Sequence, residues 1–330
     1  MYRSIASISV FHLALLSIGV VSSEAFFRPI KKSTSHPHSF LHNIRCGALE
    51  DTANDVDQVE GEESSSQDVS RTMYNKQATN WVRTEPRCLS DFTGRPVVFG
   101  MLAEELQGAD KIVLDVGCGE GYCARKVIEL GAAKVVGCDI SQEMINSART
   151  TSEGDDRFQF YASDVGNLLQ GLEDHKGEVG IDGSTGTFDV AIAVFLFNYL
   201  TSFDMEEAIV QIYQALKPGG IFVFSVPHPS MIFCHDKDSV FHLNSEGKGY
   251  YSSRNEKILG QISTIDGTKL NVMSVHKTVG DYIHAINDAG FQIVDIQEAG
   301  VTEEHLALHP EFFQSVQDRP LHLVFKLKKP

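Results

Sequence analysis

A glycine-rich turn between a buried strand and a helix constrains this chain more than any other stretch. Residues 111–122 read KIVLDVGCGEGY, which predicts a strand over 112–116 and a helix from Tyr122. Gly117, Gly119 and Gly121 permit positive φ and let a ligand lie against the main chain. A second strand, 134–138, ends in Asp139, where nucleotide-binding folds place an acid for the ribose hydroxyls. The order predicts one nucleotide-binding half of a doubly wound α/β sheet.

Two carboxylates at this turn indicate which nucleotide is bound. Asp115 precedes the turn and Glu120 lies within it, and both would repel a pyrophosphate at the helix N-terminus. They suit a ligand that is positive at this end, with an ammonium and a sulfonium. The spacing also departs from the G-x-G-x-x-G dinucleotide fingerprint, because Tyr122 stands at its last position. An NAD(P)-dependent oxidoreductase is therefore the less favoured interpretation.

The chain closely resembles the class I S-adenosylmethionine-dependent methyltransferases. The similar stretches are the loop 115–121, the sequence VVGCDIS at 135–141, and the turn LKPGG at 216–220. The resemblance covers roughly residues 72–330 and implies a seven-stranded, mostly parallel sheet. In that sheet, 321–327 would be an antiparallel strand between the fifth and sixth strands. The resemblance implies S-adenosyl-L-methionine as the cofactor, and a non-catalytic cofactor-binding protein remains a further alternative.

The resemblance also implies which residues contact the cofactor. Tyr74 would reach the methionine end from a leading helix, Asp139 would hold the ribose, and Asp164 would accept from the adenine amino group. The full predicted set is Tyr74, Asp115, Gly117, Cys118, Gly119, Gly121, Asp139, Ile140, Met144, Ser163, Asp164, Val165 and Phe195.

A long insertion, residues 227–275, follows the predicted fifth strand. It contains a predicted hairpin, 259–265 and 270–275, turned at Asp266 and Gly267. An insertion above the open end of the sheet is where a substrate lid would lie. Methyl transfer to a hydroxyl or ammonium needs a base, and His228 is the candidate for that role. Tyr250 is a candidate for lining the acceptor pocket, and a purely structural role is the alternative for both residues.

Charge and spacing limit the partners. The formal net charge of −16 disfavours nucleic acid and anionic membranes. No His, Cys or acidic cluster has metal-ligand spacing, so no metal is expected. The insertion resembles those of small-molecule methyltransferases, which implies a small metabolite as the methyl acceptor. The specific prediction is S-methylation of 4-methylthio-2-hydroxybutyrate, on the route to dimethylsulfoniopropionate. O-, N- or C-methylation of a quinone, tetrapyrrole or amine is the alternative.

The N-terminal residues predict a targeting sequence. Residues 1–25 are typical of a signal peptide, whose apolar run is too short for stable membrane insertion. Residues 26–48 have the composition of a transit peptide, and 49–71 form an acidic linker expected to be disordered. Signal and transit segments in this order resemble the bipartite presequences of algae with complex plastids. We therefore expect a plastid location for the methyltransferase domain, residues 72–330, with secretion as the alternative.

Overall fold

The computed structural model describes residues 71, 72, 75, 81, 85–108 and 110–330. Residues 1–70, with the predicted targeting segments and nearly all of the linker, lie outside the described residues, and so does Tyr74. None of the helices in the described part is both long enough and apolar enough to cross a membrane.

Strands and helices alternate along the chain. The strands are β1 Ile112–Val116, β2 Lys134–Asp139, β3 Phe158–Ala162, β4 Phe188–Val194, β5 Leu216–Pro227, β6 Phe241–Asn244, β7 Lys257–Ser263, β8 Lys269–Val275, β9 Gln292–Ala299 and β10 His322–Lys328. Within residues 85–330 the helices are α1 Leu89–Thr93, α2 Arg95–Leu102, α3 Tyr122–Glu129, α4 Gln142–Thr151, α5 Leu168–Val179, α6 Ser202–Ala215, α7 Val279–Asp288, α8 Glu303–Leu308 and α9 Pro310–Gln314.

Seven strands form one central sheet in the order β3-β2-β1-β4-β5-β10-β9. Strands β1 to β5 pair in parallel, whereas β10 is antiparallel to both of its neighbours, β5 and β9. The predicted fold class is therefore confirmed, including the antiparallel strand, β10, between the fifth strand of this sheet, β5, and the sixth in chain order, β9.

Helices cover both faces of this sheet, which explains the apolar runs in its central strands. Alternate residues of β1 show the division. Leu114 packs in the core that α5, α6 and α7 complete, and Val113 packs in the core that α2, α3 and α4 complete. Because β4 is buried on both faces, its sequence FDVAIAV is apolar at nearly every position rather than at alternate ones.

The insertion after β5 forms a separate three-stranded antiparallel sheet in the order β6-β7-β8. The predicted hairpin is present as β7 and β8, with Gly267 at φ 84° in the turn between them. Strand β6 was not predicted from the sequence. It is four residues long and takes its register from β7, where Phe241 pairs with Ile262, so the local sequence carried little signal for it.

Candidate active site

A cavity lies between the carboxyl edge of the parallel strands and the insertion. Most of the predicted cofactor residues line it, although they come from four different strand ends. The lining members are Asp115, Gly117, Cys118, Gly119, Asp139, Ile140, Met144, Ser163, Asp164, Val165 and Phe195. Among the described residues of the predicted set, only Gly121 does not line the cavity.

Gly121 lies behind the turn, at the N-terminus of α3. Its φ of 84° favours glycine. A Cβ at this position would stand 3.2 Å from Cζ of Phe160 and 3.3 Å from Cβ of Ala148. Gly121 therefore lets α3 approach β3 and α4 closely, and the structure gives it a packing position rather than a ligand contact.

Asp139, at the end of β2, holds the glycine turn through its carboxylate. One oxygen accepts from the N–H of Gly119 at 3.0 Å, and the other accepts from the N–H of Ser141 at 2.9 Å. Burial raises the pKa of Asp139, and these backbone donors partly oppose that rise. Each carboxylate oxygen can accept a further hydrogen bond, so Asp139 could still receive ribose hydroxyls.

Asp115 is a buried acid with an unsatisfied oxygen. Its side chain is 1% exposed, and no described residue donates to its Oδ2. Burial and the nearby carboxylate of Asp139 raise the pKa of Asp115 to about 7. A cationic ligand group at this position would supply the missing partner and favour the ionised carboxylate.

Glu120 differs from Asp115, although the sequence argument treated the two acids alike. Its Oε2 accepts from a guanidinium nitrogen of Arg125 at 2.6 Å. This ion pair compensates the charge of Glu120. Repulsion of a pyrophosphate therefore depends mainly on Asp115.

Arg95 brings a positive charge to the wall of the cavity that Asp115 also lines. One of its terminal nitrogens donates to Asp91 and to Ser90, both at 2.7 Å. Its guanidinium carbon lies 5.2 Å from the ring centroid of Phe195, within the range of a cation–π contact. The cavity thus carries both a carboxylate and a guanidinium, the two charges that a zwitterionic amino-acid group would require.

A protein family described as a methyltransferase domain matches residues 113–220, from β1 into β5. N-demethylindolmycin N-methyltransferase of Streptomyces griseus is 27% identical over 250 residues, covering 75% of this chain and 93% of that protein. The chain therefore carries a methyltransferase domain, in a fold that it shares with an S-adenosylmethionine-dependent methyltransferase. S-adenosyl-L-methionine is therefore its cofactor.

Two further comparisons cover a similar share of this chain. A crystal structure of an S-adenosylmethionine dependent methyltransferase from Mesorhizobium loti shares the fold, with a TM-score of 0.53 and 24% identity, over 71% of this chain and 96% of that one. An uncharacterized protein of Haemophilus influenzae is 26% identical over 252 residues, covering 75% of this chain and 91% of that protein.

The structure does not bring the two predicted catalytic residues of the methyltransferase to the cavity. His228 is held on the far side of β10, where its Nε2 lies 2.8 Å from a carboxylate oxygen of Glu298. Its Nδ1 contacts the hydroxyl and the N–H of Ser230, so both ring nitrogens are engaged. Tyr250 accepts through its hydroxyl from the N–H of Val279, at the start of α7. Both positions suit structural roles, the alternative left open by the sequence.

Residues outside the predicted cofactor and catalytic sets form the rest of the wall, and many of them belong to the insertion expected to be a lid. The insertion supplies an apolar surface made of Met231, Phe241, Leu243, Ile262, Val272 and Met273. Polar groups come from Asn198, just after β4, and from His322, at the start of β10. Because β10 runs antiparallel, its first residue lies at the carboxyl edge of the parallel strands. The predicted antiparallel strand therefore already implied that His322 lies at this edge of the sheet.

No group of three or more His, Cys, Asp or Glu side chains suited to a metal ion occurs among the described residues.

Proposed function

We propose that this methyltransferase transfers a methyl group to a small, largely apolar metabolite held under the insertion. The observation that carries the proposal is the continuity of the cavity. It runs from the glycine turn, where the cofactor belongs, to the apolar face of β6, β7 and β8. Such a space suits a compact acceptor and excludes water from the reacting atoms.

The polar residues support one orientation of the cofactor. Asp139 would hold the ribose hydroxyls, and Asp164 would receive the adenine amino group. Asp115 and Arg95 would hold the ammonium and the carboxylate of the methionine part. The methyl group would then face away from the turn, toward the apolar wall, where an acceptor could attack in line with the S–CH3 bond.

A small acceptor is also supported by the relative from Streptomyces griseus, whose name states an N-methyltransferase of N-demethylindolmycin. The predicted acceptor 4-methylthio-2-hydroxybutyrate is a competing candidate. Its carboxylate would need a basic partner in the cavity. Arg95, Arg254 and Lys277 are the candidates for this partner, and of these three Arg95 lines the cavity, where it would have to serve the acceptor in place of the cofactor carboxylate. Arg254 instead pairs with Asp281, and Lys277 donates to three main-chain carbonyl groups.

The test has two steps. Calorimetry should detect binding of S-adenosylhomocysteine to the purified protein and no binding of NAD. Labelled S-adenosylmethionine should then methylate members of a panel that contains apolar amines, phenols, quinols and 4-methylthio-2-hydroxybutyrate. If methyl transfer occurred only to 4-methylthio-2-hydroxybutyrate, that hydroxy acid would be the acceptor and the proposed apolar acceptor would be wrong. Cofactor binding without transfer to any extract of small metabolites would refute the proposed reaction.

We further propose that residues 1–48 direct the enzyme to a plastid. A fluorescent protein fused behind residues 1–48 should accumulate in the plastid of an alga with complex plastids. The matched control, residues 26–48 alone, should stay in the cytosol because it lacks the signal segment. Export of the longer fusion to the medium would support secretion instead.

A further inference from the structure

His322, the first residue of β10, is a buried histidine in the wall of the cavity. Its side chain is 6% exposed and lines the cavity next to Pro227 and Leu321. The ring packs edge-on against Phe195, with 5.0 Å between the ring centroids. Gly94 faces the Cδ2–Cγ edge of the ring so closely that a Cβ there would stand 2.8 Å from Cδ2. These contacts fix the orientation of the imidazole.

A chain of hydrogen bonds decides which ring nitrogen of His322 carries the proton. Nε2 lies 2.8 Å from the hydroxyl oxygen of Thr93, and that hydroxyl lies 2.8 Å from the carbonyl oxygen of Leu89. A carbonyl oxygen can only accept, so the single hydroxyl hydrogen of Thr93 points to Leu89. The hydroxyl oxygen must then accept from His322. The proton is therefore on Nε2, and Nδ1 carries a lone pair.

This lone pair has no donor among the described residues. Nδ1 of His322 is buried and unpartnered within that part of the chain. Burial, together with the positive charge of Arg95, lowers the pKa of His322 to about 3, so the ring is neutral near pH 7. An unsatisfied buried acceptor destabilises the protein unless a ligand satisfies it.

We propose that Nδ1 of His322 accepts a hydrogen bond from the methyl acceptor, so that the enzyme selects acceptors that carry an N–H or O–H group. This inference rests on the proposed function and narrows its substrate class. A bare thioether offers no such donor and would leave Nδ1 unsatisfied. A site that hydrogen-bonds a substrate N–H or O–H discriminates strongly against analogues that lack it.

In the reaction, His322 orients the acceptor and does not keep its proton. The acceptor nitrogen or oxygen donates its hydrogen to Nδ1 while its lone pair faces the methyl group. The S–CH3 bond breaks, its electron pair stays on sulfur, and the new N–CH3 or O–CH3 bond forms. For an O–H acceptor the proton passes to Nδ1 as the O–CH3 bond forms, because a protonated ether is a far stronger acid than the His322 imidazolium, and the imidazolium then gives the proton to water. For an N–H acceptor the product leaves as the ammonium and loses its proton in water.

Two substitutions separate this role from packing. His322→Gln can place an amide nitrogen where Nε2 stands, and so keep the donation to Thr93, but it loses the acceptor at Nδ1. His322→Asn can place a carbonyl oxygen near Nδ1 and loses the donation to Thr93. A third variant, Thr93→Val, removes the hydroxyl that holds the tautomer. None of the three should change the affinity for S-adenosylhomocysteine, which reports that the variants are folded.

The probes are 2-naphthol and naphthalene, titrated by fluorescence into enzyme saturated with S-adenosylhomocysteine. The wild type should bind 2-naphthol about three- to tenfold more tightly than naphthalene, as one neutral hydrogen bond predicts. His322→Gln should lose this preference, His322→Asn should retain it, and Thr93→Val should weaken it. Equal binding of both probes to the wild type, or an unchanged preference in His322→Gln and Thr93→Val, would overturn the inference alone. Binding of neither probe would overturn the proposed acceptor cavity as well.

Discussion

Replacing Asp115 by Asn should make the unliganded enzyme more stable and the cofactor complex weaker. The carboxylate is buried beside Asp139 and has an oxygen with no donor among the described residues. An amide of the same shape removes the buried charge. It also removes the partner that we assign to the cofactor ammonium, so stability and binding change in opposite directions.

The size of the stability effect follows from the pKa of Asp115. Folding raises it from 3.8 to about 7, which corresponds to about 4 kcal/mol at 1.36 kcal/mol per pKa unit. Because the folded state binds this proton more tightly than the unfolded state does, protonation of Asp115 adds to the free energy of unfolding. This stabilisation is fully present below pH 4. It is lost as the pH rises from about 4 through about 7. The wild type should therefore lose stability over this range, relative to Asp115→Asn, by an amount on the order of 4 kcal/mol.

Binding has the opposite pH dependence, since only the ionised carboxylate attracts an ammonium. The affinity of the wild type for S-adenosylhomocysteine should rise as the pH increases through about 7. In Asp115→Asn this rise should be absent. At pH 8 the affinity should be roughly ten- to a hundredfold lower, because a hydrogen bond to a charged group contributes about 1.5–3 kcal/mol.

Urea unfolding and calorimetry at pH 5, 6, 7 and 8 measure the two effects. Glu120→Gln is the matched control, because Glu120 is buried but paired with Arg125. That variant should lose stability at pH 8, since the partly buried guanidinium of Arg125 loses its carboxylate partner. If Asp115→Asn were destabilised at pH 8, or if its binding kept the pH dependence of the wild type, the assignment of Asp115 to the ammonium would be refuted.

Three further substitutions test the site. Gly94→Ala would place a Cβ 2.8 Å from His322 and from Phe195, so methyl transfer should fall at least tenfold, and the cofactor affinity measured by calorimetry should fall less than that. Gly260→Ala would place a Cβ 2.2 Å from a main-chain carbonyl of β6, so the variant should bind cofactor but lose transfer in the same assay. His228→Ala should lower the melting temperature by about 2–4 °C through loss of its packing and of its bond to the exposed carboxylate of Glu298, with turnover within about twofold of the wild type. A large loss of turnover would return His228 to the catalytic candidates.

The sequence predicted the elements whose signals are local. The glycine turn required backbone conformations that few residues adopt, and Gly117 and Gly119 indeed have φ of 73° and 54°. Strand β4 was recognisable because a strand buried on both faces is apolar throughout. These local signals, together with the resemblance, were sufficient for the sheet order and the edge at which the cavity lies.

Side-chain direction was harder to predict, and His228 shows why. It follows β5 between two prolines, which interrupt the alternation that would have indicated its face. The structure turns it toward Glu298, across β10. His322 was overlooked for the opposite reason. It begins a regular strand, and the orientation of its ring is fixed by Thr93, which lies 229 residues earlier in the chain.

The position of β10 has a consequence for synthesis on the ribosome. Strand β9 emerges first, yet its partner in the sheet is β10, which follows it in the chain. Until β10 has been made, the open edge of β5 and the isolated β9 both offer unpaired backbone to other chains. The nascent protein therefore has a period of aggregation risk that ends when one late strand fills the gap. Chaperone dependence should be concentrated in that interval.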